Sequence, residues 1–548
     1  MIVYQIFTRL FGNRNTTRKE WGSVAENGSG KMNDIDAQVL KRIKAMGVTH
    51  VWFTGVLRHA TQTDYTAYGI PAQNAEVVKG RAGSPYAITD YYDIDPDLAV
   101  DVDKRMQEWE RLIARTHKAG MKVIMDFVPN HVARQYHSVC KPKGVRDLGE
   151  DDDVNMHFST HNNFYYCWGQ SLDLGDVTDS QTYHEAPARA TGNDHFDNRP
   201  GRNDWYETVK LNYGVDYCDA GGRSEHFDPI PDTWTKMTDI LMYWAGKGVD
   251  GFRCDMAEMV PAAFWAYSTK VVKTAYPHII FIGEVYNPSH YRTYIRAGFD
   301  LLYDKVGMYD SLRDIVCGRR WASDITTQWQ QTDDIRDHML YFLENHDEQR
   351  IASDFFAGEP WAAYPAHIVS CLLHTNPYML YAGQELGERG MDKEGFSGRD
   401  GRSTIFDYWS MDSVNHGYFD IRKKTPSERK LMDAYKRVML IAEKEKAASR
   451  GLTFDLMYVN GHLAQSQYAF LRKKDDELLL VVVNFAAEAI DTGVIIPSHA
   501  FEYMGIAEGD ADAVDLLSDG KAKLHLAVNE AVNVAVPAHG GVVYKIKQ

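Results

Sequence analysis

Three carboxylates in this 548-residue chain each follow a short apolar run: Asp255 after 249–254, Glu284 after 279–283, and Asp347 after 339–343. Runs of this length are typical of parallel strands that are buried on both faces. In a (β/α)8 barrel the carboxyl ends of such strands meet at one face, where loops build the active site. Gathering like charges costs free energy that folding alone does not require. The three acids therefore predict an active site.

Four short motifs surround these acids, and each has an ordinary structural explanation when it is taken alone. Residues 126–131, Asp-Phe-Val-Pro-Asn-His, fit loop hydrogen bonding. Arg253 and Asp255 point to the same side of a strand, so they fit a buried ion pair. Gly283-Glu284 says little, and residues 345–347, Asn-His-Asp, fit a helix cap. Their order along the chain, each at a predicted strand end, favours a shared catalytic function.

Alternating strand and helix patterns over roughly the first 430 residues predict βα units around a parallel sheet. The fold class that follows is α/β, a (β/α)8 TIM barrel. Predicted strands cover 2–7, 48–56, 121–127, 249–254, 279–283, 299–303, 338–343 and 378–381, and the clearest helices cover 35–46, 105–118, 232–246 and 427–448.

The alternation fails between residues 132 and 210, and a stretch this long predicts an inserted domain rather than a connector. Beyond residue 449, alternating β-rich runs separated by turn residues predict a C-terminal antiparallel β-sandwich. The predicted divisions are 1–131 and 211–449 for the barrel, 132–210 for the insertion, and 450–548 for the sandwich. The insertion should lie over the barrel mouth, where Tyr165, Tyr166, Trp168 and Trp205 are candidates for stacking on a ligand.

Taken together, the four motifs resemble the signature regions of the α-amylase superfamily of glycoside hydrolases, and the resemblance covers essentially the whole chain. It implies that Asp255 is the nucleophile, Glu284 the general acid/base and Asp347 the acid that stabilises the transition state. It also implies that Arg253 keeps Asp255 ionised, that His131 and His346 donate to sugar hydroxyls, and that Tyr86 stacks on the same sugar. Asp255 and Asp347 should favour the protonated form of Glu284.

Departures from the family pattern bear on specificity and on metal binding. Many α-amylases carry Lys and His three and four positions after the nucleophile, where this chain has Glu258 and Met259. We expect Glu258 to act in the +1 or +2 subsite, with pairing to a Lys or Arg of its loop as an equal alternative. No cofactor is needed for the chemistry. The His missing at position 259 would contribute to the family's calcium site, whereas Asn130 matches another ligand of that site. Whether the chain binds a structural calcium ion is therefore left open.

The function implied is a retaining hydrolase of α-glucosidic, mainly α-1,4, bonds in malto-oligosaccharides or starch-like glucans. One alternative is a glucosyltransferase or isomerase of the same superfamily, for example a trehalose-forming enzyme. Another is an inactive amylase-like binding protein, which the three retained acids disfavour. Ala87 stands where related exo-acting α-glucosidases usually carry Asp, which weakens an exo-glucosidase reading.

The resemblance implies an oligosaccharide or polysaccharide substrate, and composition argues against other classes of partner. A net charge of −16 disfavours a nucleic-acid surface, which needs clustered Lys and Arg. No stretch approaches the roughly 20 apolar residues of a membrane helix, and residues 1–9 do not resemble a signal peptide. The six scattered cysteines fit isolated reduced thiols. We therefore expect a cytoplasmic protein without a membrane partner, although a trimmed signal peptide would look the same.

Overall fold

Eight parallel strands close into a barrel in the computed structural model, which describes all 548 residues. The strands are β1 (Ile2–Phe7), β2 (His50–Thr54), β3 (Lys122–Phe127), β4 (Gly251–Cys254), β5 (Ile280–Gly283), β6 (Leu301–Tyr303), β7 (Met339–Phe342) and β8 (Tyr378–Tyr381). They neighbour one another in sequence order, and β1 closes the ring by pairing with both β2 and β8. The predicted barrel is confirmed. Most of its strands are shorter than predicted, because apolar residues beyond the ladder belong to the loops.

A helical layer surrounds the barrel, with at least one helix after every strand. The main helices are α1 (Ala37–Lys44), α2 (Arg105–Lys118), α3 (Asp232–Gly246), α4 (Ala262–Ala275), α5 (Tyr291–Arg296), α6 (Asp310–Val316), α7 (Asp324–Gln331), α8 (Tyr364–Leu372) and α9 (Pro426–Lys444). Helix α9 begins with a capping box between Thr425 and Glu428. It ends at Lys444, earlier than predicted, and a short separate helix, Lys446–Arg450, follows.

The chain between β3 and α3 forms an irregular lobe built on short antiparallel pairs. His131–Ala133 pairs with Thr208–Lys210, and Tyr166–Cys167 pairs with Ala188–Arg189. Inside the lobe, Glu185 accepts from the guanidinium groups of Arg134 and Arg189, each at 2.8 Å. The first pair brings the two ends of the insertion together directly beside β3. That register places Lys210 opposite His131.

The C-terminal region is an antiparallel β domain, as the sequence predicts. A six-stranded sheet contains Leu452–Asp455, Gln467–Lys474, Glu477–Asn484, Gly509–Asp515, Lys521–Leu526 and Gly540–Lys547. A second sheet pairs Ile490–Ile495 with Ala531–Val536. The strand Glu477–Asn484 is fully buried, because it pairs with a strand on each edge and also contacts helix α8, the helix Lys446–Arg450 and the second sheet.

None of the helices combines the length and the apolar character that crossing a membrane requires. All six cysteines are free thiols.

Candidate active site

The three predicted acids come together at the carboxyl end of the barrel and line one cavity of about 230 Å³. Asp255 follows β4 directly, and Glu284 follows β5 directly. Asp347 lies in the turn after β7, where Asn345 Oδ1 accepts from the Asp347 amide at 2.8 Å. Asp255 and Glu284 are buried, while the Asp347 side chain is 34% exposed. Three different strand ends thus bring three carboxylates to the floor of one pocket.

Arg253 joins two of these acids with one guanidinium group. Its Nη1 donates to Asp255 Oδ1 at 2.8 Å, and its Nη2 lies 2.8 Å from Glu284 Oε2. The Arg253 side chain is fully buried, and its Nε donates to the Tyr303 hydroxyl at 3.2 Å. One buried positive charge therefore sits between the two carboxylates, and the planar group fixes their relative position.

Two further donors fix the carboxylate of Glu284. The Met256 amide donates to Oε2 at 2.7 Å, and the Tyr286 hydroxyl donates to Oε1 at 2.6 Å. Met256 has a φ of 44°, in the left-handed region that a residue with a side chain adopts at a cost. The N–H of this strained residue, which directly follows Asp255, points toward Glu284.

Asp347 and His346 form a second polar group at the cavity. His346 Nε2 lies 3.0 Å from Asp347 Oδ2 and 2.6 Å from the Tyr86 hydroxyl. The other ring nitrogen, Nδ1, lies 2.8 Å from Gln5 Nε2 in β1. Gln5 therefore orients the imidazole from below, so that Nε2 faces Asp347 and Tyr86.

The acids hold protons differently because their charged neighbours differ. Burial raises the pKa of Asp255 well above its usual range, Arg253 opposes that shift, and the charges of Glu284 and Asp347 add to it. Burial acts on Asp347 in the same direction, but the neighbouring His346 and Arg253 outweigh it and lower its pKa to about 2. Asp347 therefore stays ionised at neutral pH, whereas Asp255 ionises less readily than a free carboxyl group and depends on Arg253 to favour its carboxylate form.

His131 faces the cavity as a neutral donor. Burial, with the nearby charges of Lys210 and Lys79, lowers the pKa of His131 to about 3. Asn130 Nδ2 lies 3.1 Å from His131 Nδ1, which leaves Nε2 to carry the proton. The Trp205 ring packs on the imidazole with its centroid 5.2 Å away.

The insertion forms part of the cavity wall through Trp205, Glu207 and Thr208. Of the aromatic residues expected to stack on a ligand, only Trp205 reaches the cavity. Tyr165 and Tyr166 are buried within the lobe, and Trp168, 65% exposed, is not among the lining residues.

Glu258 does not line the cavity, because its carboxylate binds the loop after β5. It accepts from the Tyr286 amide and the Asn287 amide, each at 3.1 Å, and Oε2 lies 3.5 Å from His290 Nδ1. These partners differ from the Lys or Arg considered above. The contacts show that Glu258 supports the segment that carries Tyr286.

Several lining residues were not predicted from the sequence. Tyr286 stands two positions after Glu284, and this spacing was the only available signal. Arg402, in the long loop after β8, adds a positive charge that favours ionised Asp347. Lys79 and Glu207 pair at 3.0 Å and reach the cavity from two different loops, which no local pattern indicates.

Asn130, which matches a calcium ligand of the family pattern, contacts the ammonium group of Lys210 through its Oδ1. Asp194 Oδ1 lies 2.6 Å from the same nitrogen. A separate group, Asp90, Asp93 and Cys140, has the spacing of a metal site. Its carboxylates are paired with Arg58 and Arg105.

Two family descriptions match this chain. The α-amylase catalytic domain matches residues 5–437, and the α-amylase C-terminal all-β domain matches residues 458–547. The chain belongs to the α-amylase family. The family consists of glycoside hydrolases, and the eight-stranded barrel followed by an all-β domain agrees with it.

Individual relatives in the family are distant in sequence. Alpha-amylase MalA of Haloarcula japonica is 27% identical over 397 residues, which is 71% of this chain but only 44% of that protein. Neopullulanase 2 of Thermoactinomyces vulgaris is 20% identical and covers 89% of this chain and 69% of its own length. The maltogenic α-amylase AmyB of Thermotoga neapolitana has a TM-score of 0.65 at 19% identity, over 100% of this chain and 99% of its own. That structural likeness supports the fold.

Proposed function

We propose that the protein is a retaining hydrolase of α-glucosidic, mainly α-1,4, bonds in malto-oligosaccharides or starch-like glucans. The observation that carries this proposal is the contact of one Arg253 guanidinium with both Asp255 and Glu284. A retaining glycosidase needs its nucleophile and its acid/base about 5–5.5 Å apart, whereas an inverting enzyme leaves room for water between them. Two carboxylates bridged by one planar group fit the short separation.

In the first step, an Asp255 oxygen attacks the anomeric carbon while the bond to the leaving sugar oxygen breaks. Glu284 gives its proton to that oxygen, which leaves a glycosyl ester on Asp255 and a carboxylate on Glu284. In the second step, Glu284 takes a proton from water, and the water oxygen displaces Asp255 at the same carbon. Two displacements return the original anomeric configuration and both acids to their starting states.

The remaining groups have roles in binding and charge stabilisation. Asp347 stays ionised and would stabilise the positive charge that develops on the sugar ring in the transition state. Neutral His131 and the oriented ring of His346 would donate to hydroxyls, where hydrogen bonds strengthened in the transition state add rate. Tyr86 and Trp205 supply aromatic faces beside the acids.

The substrate class rests on this mixture of aromatic faces and hydroxyl-binding groups and on the names of the relatives. α-Amylases, a neopullulanase and a maltogenic α-amylase are among the family members that this chain is similar to. Asp255 is also retained with the buried partners that catalysis needs, which supports an active enzyme over an inactive binding protein.

Product analysis tests the proposal. Purified protein would be incubated separately with maltose, maltoheptaose, pullulan and starch, and the products separated by chromatography. We expect shorter malto-oligosaccharides from maltoheptaose and starch. Longer oligosaccharides, or an isomer of maltose without net release of reducing ends, would favour the transferase or isomerase alternative. Unchanged substrates under all conditions would contradict the proposal.

A further inference from the structure

Lys210 is a buried lysine at the point where the insertion rejoins the barrel. It ends the short strand Thr208–Lys210, which pairs with His131–Ala133, so it lies opposite His131 in the ladder. Its side chain is only 2% exposed. Removing an ammonium group from water costs free energy unless acceptors surround it. The nitrogen of Lys210 is therefore expected to have several oxygen partners.

Three oxygens from three segments surround the Lys210 ammonium. One is Oδ1 of Asn130, in the loop after β3. Asp194 Oδ1, in a turn of the insertion, lies 2.6 Å away, and the Met259 carbonyl, in the loop after β4, lies 3.4 Å away. An ammonium has three N–H donors and no acceptor, so three oxygens match its capacity. The nitrogen thereby joins the insertion to two catalytic loops of the barrel.

The same oxygens do not fit a calcium ion. Calcium takes six to eight oxygen ligands, usually with several carboxylates, and here Asp194 is the only carboxylate among the acceptors of Lys210. No group of three His, Cys, Asp or Glu side chains with metal-site spacing includes Asp194. One carboxylate balances one ammonium, whereas a divalent ion in its place would leave a buried excess of positive charge.

We propose that the Lys210 ammonium serves as a built-in cation that takes the place of a calcium ion between the insertion and the barrel. This assigns to Lys210 a positioning role at the active site. Asn130, held through Oδ1 by the lysine, donates through Nδ2 to the Gly192 carbonyl at 2.8 Å and lies 3.1 Å from His131 Nδ1. Lys210 thus orients His131 through Asn130.

The test compares the wild-type protein with Lys210→Met, Asp194→Asn and the control Lys273→Met. Lys273, in helix α4, makes similar contacts, to the Gly298 carbonyl at 2.7 Å and to Asp300 at 2.9 Å. These two partners lie just before β6, at the opposite end of the barrel from the acids. Melting temperature and the kinetics of maltoheptaose hydrolysis would be measured in excess EDTA and then in excess calcium chloride.

We expect the wild-type melting temperature and rate to be the same in EDTA and in calcium. Lys210→Met should lower the melting temperature by several degrees, because it leaves the buried Asn130 Oδ1 without its donor and removes the cation that pairs with Asp194. It should also lower kcat/KM roughly tenfold, the loss typical of a misplaced supporting group. Asp194→Asn should show a smaller loss in both quantities. Lys273→Met should lose stability while keeping kcat/KM.

Two results would overturn the proposal. One is a wild-type protein that loses several degrees in EDTA and regains them with calcium. The other is a Lys210→Met variant whose melting temperature and kcat/KM both equal those of the wild type. The calcium comparison on the wild-type protein needs no variant, so the proposal stays testable even if Lys210→Met does not fold.

Discussion

The Tyr286 hydroxyl lies 2.6 Å from Glu284 Oε1, which ties the proposed general acid to an aromatic residue two positions further along the same loop. Tyr286→Phe removes this donor and keeps the ring. We expect kcat on maltoheptaose to fall roughly tenfold, less than the ~10²–10⁴-fold that a proton-transfer group itself contributes, because the Tyr286 hydroxyl only orients Glu284. The melting temperature should change little. An unchanged kcat would show that the contact has no part in catalysis.

Replacing Asp255 with Asn should remove turnover and raise stability at neutral pH. The pKa of Asp255 is raised in the folded protein, so this group favours the folded state at low pH and disfavours it once pH rises above the unfolded value of about 3.9. Asp255→Asn should therefore melt at a higher temperature than the wild type at pH 7, and this difference should shrink as pH falls toward 4.

Asp347→Asn provides the matched comparison with the opposite sign. Its folded pKa of about 2 lies below the unfolded value, so the carboxylate contributes stability at neutral pH that is lost as pH falls toward 2. Asp347→Asn should melt below the wild type at pH 7. Equal shifts of the same sign in both variants would contradict the assigned charge states.

Stability should also fall on mild acidification because buried histidines are held neutral. Burial, with the charges of Arg472 and Arg336, lowers the pKa of His374 to about 3. A lowered histidine pKa contributes stability above about pH 6.5 that is lost as pH falls toward 3. His374→Asn should therefore show a smaller drop in melting temperature between pH 7 and 5 than the wild type.

The control for this effect is His525→Gln. His525 is exposed, and its hydrogen bond to Asp510 raises its pKa. Its replacement should leave the acid-induced drop at least as large as in the wild type. If both variants reduce the drop equally, burial of His374 is not its cause.

Glu258→Gln distinguishes support of the loop from contact with the substrate. A glutamine can accept from one of the Tyr286 and Asn287 amides, but its NH2 group would face the other. We expect a lower melting temperature and a lower kcat, and the loss in kcat should not add to that of Tyr286→Phe in the double variant. A changed distribution of products from maltoheptaose with an unchanged melting temperature would instead support the +1 or +2 subsite.

Much of the fold could be predicted because apolar runs and helical spacing are local signals. Strands β1 and β8 and helices α2 and α3 have the predicted bounds. The three acids could be predicted from motifs at strand ends, because the carboxyl ends of all barrel strands lie at one face.

The contacts that the sequence did not predict depend on pairing between distant segments. Lys210 meets Asn130 because the two ends of the insertion form a strand pair. Glu258 meets the Tyr286 amide because neighbouring strands β4 and β5 place their loops side by side. Neither contact leaves a periodic or motif signal within its own segment. Sequence analysis therefore left two equal interpretations for Glu258 and did not single out Lys210.

The stereochemistry of the first product tests the proposed double displacement at Asp255 most directly. Proton NMR spectra of maltoheptaose hydrolysis, recorded in the first moments before mutarotation, distinguish the two anomers of the new reducing end. Retention predicts that the α-anomer appears first and that the β-anomer grows in afterwards at the rate of mutarotation. A β-anomer as the initial product would mean single displacement by water, and the covalent role of Asp255 would be wrong.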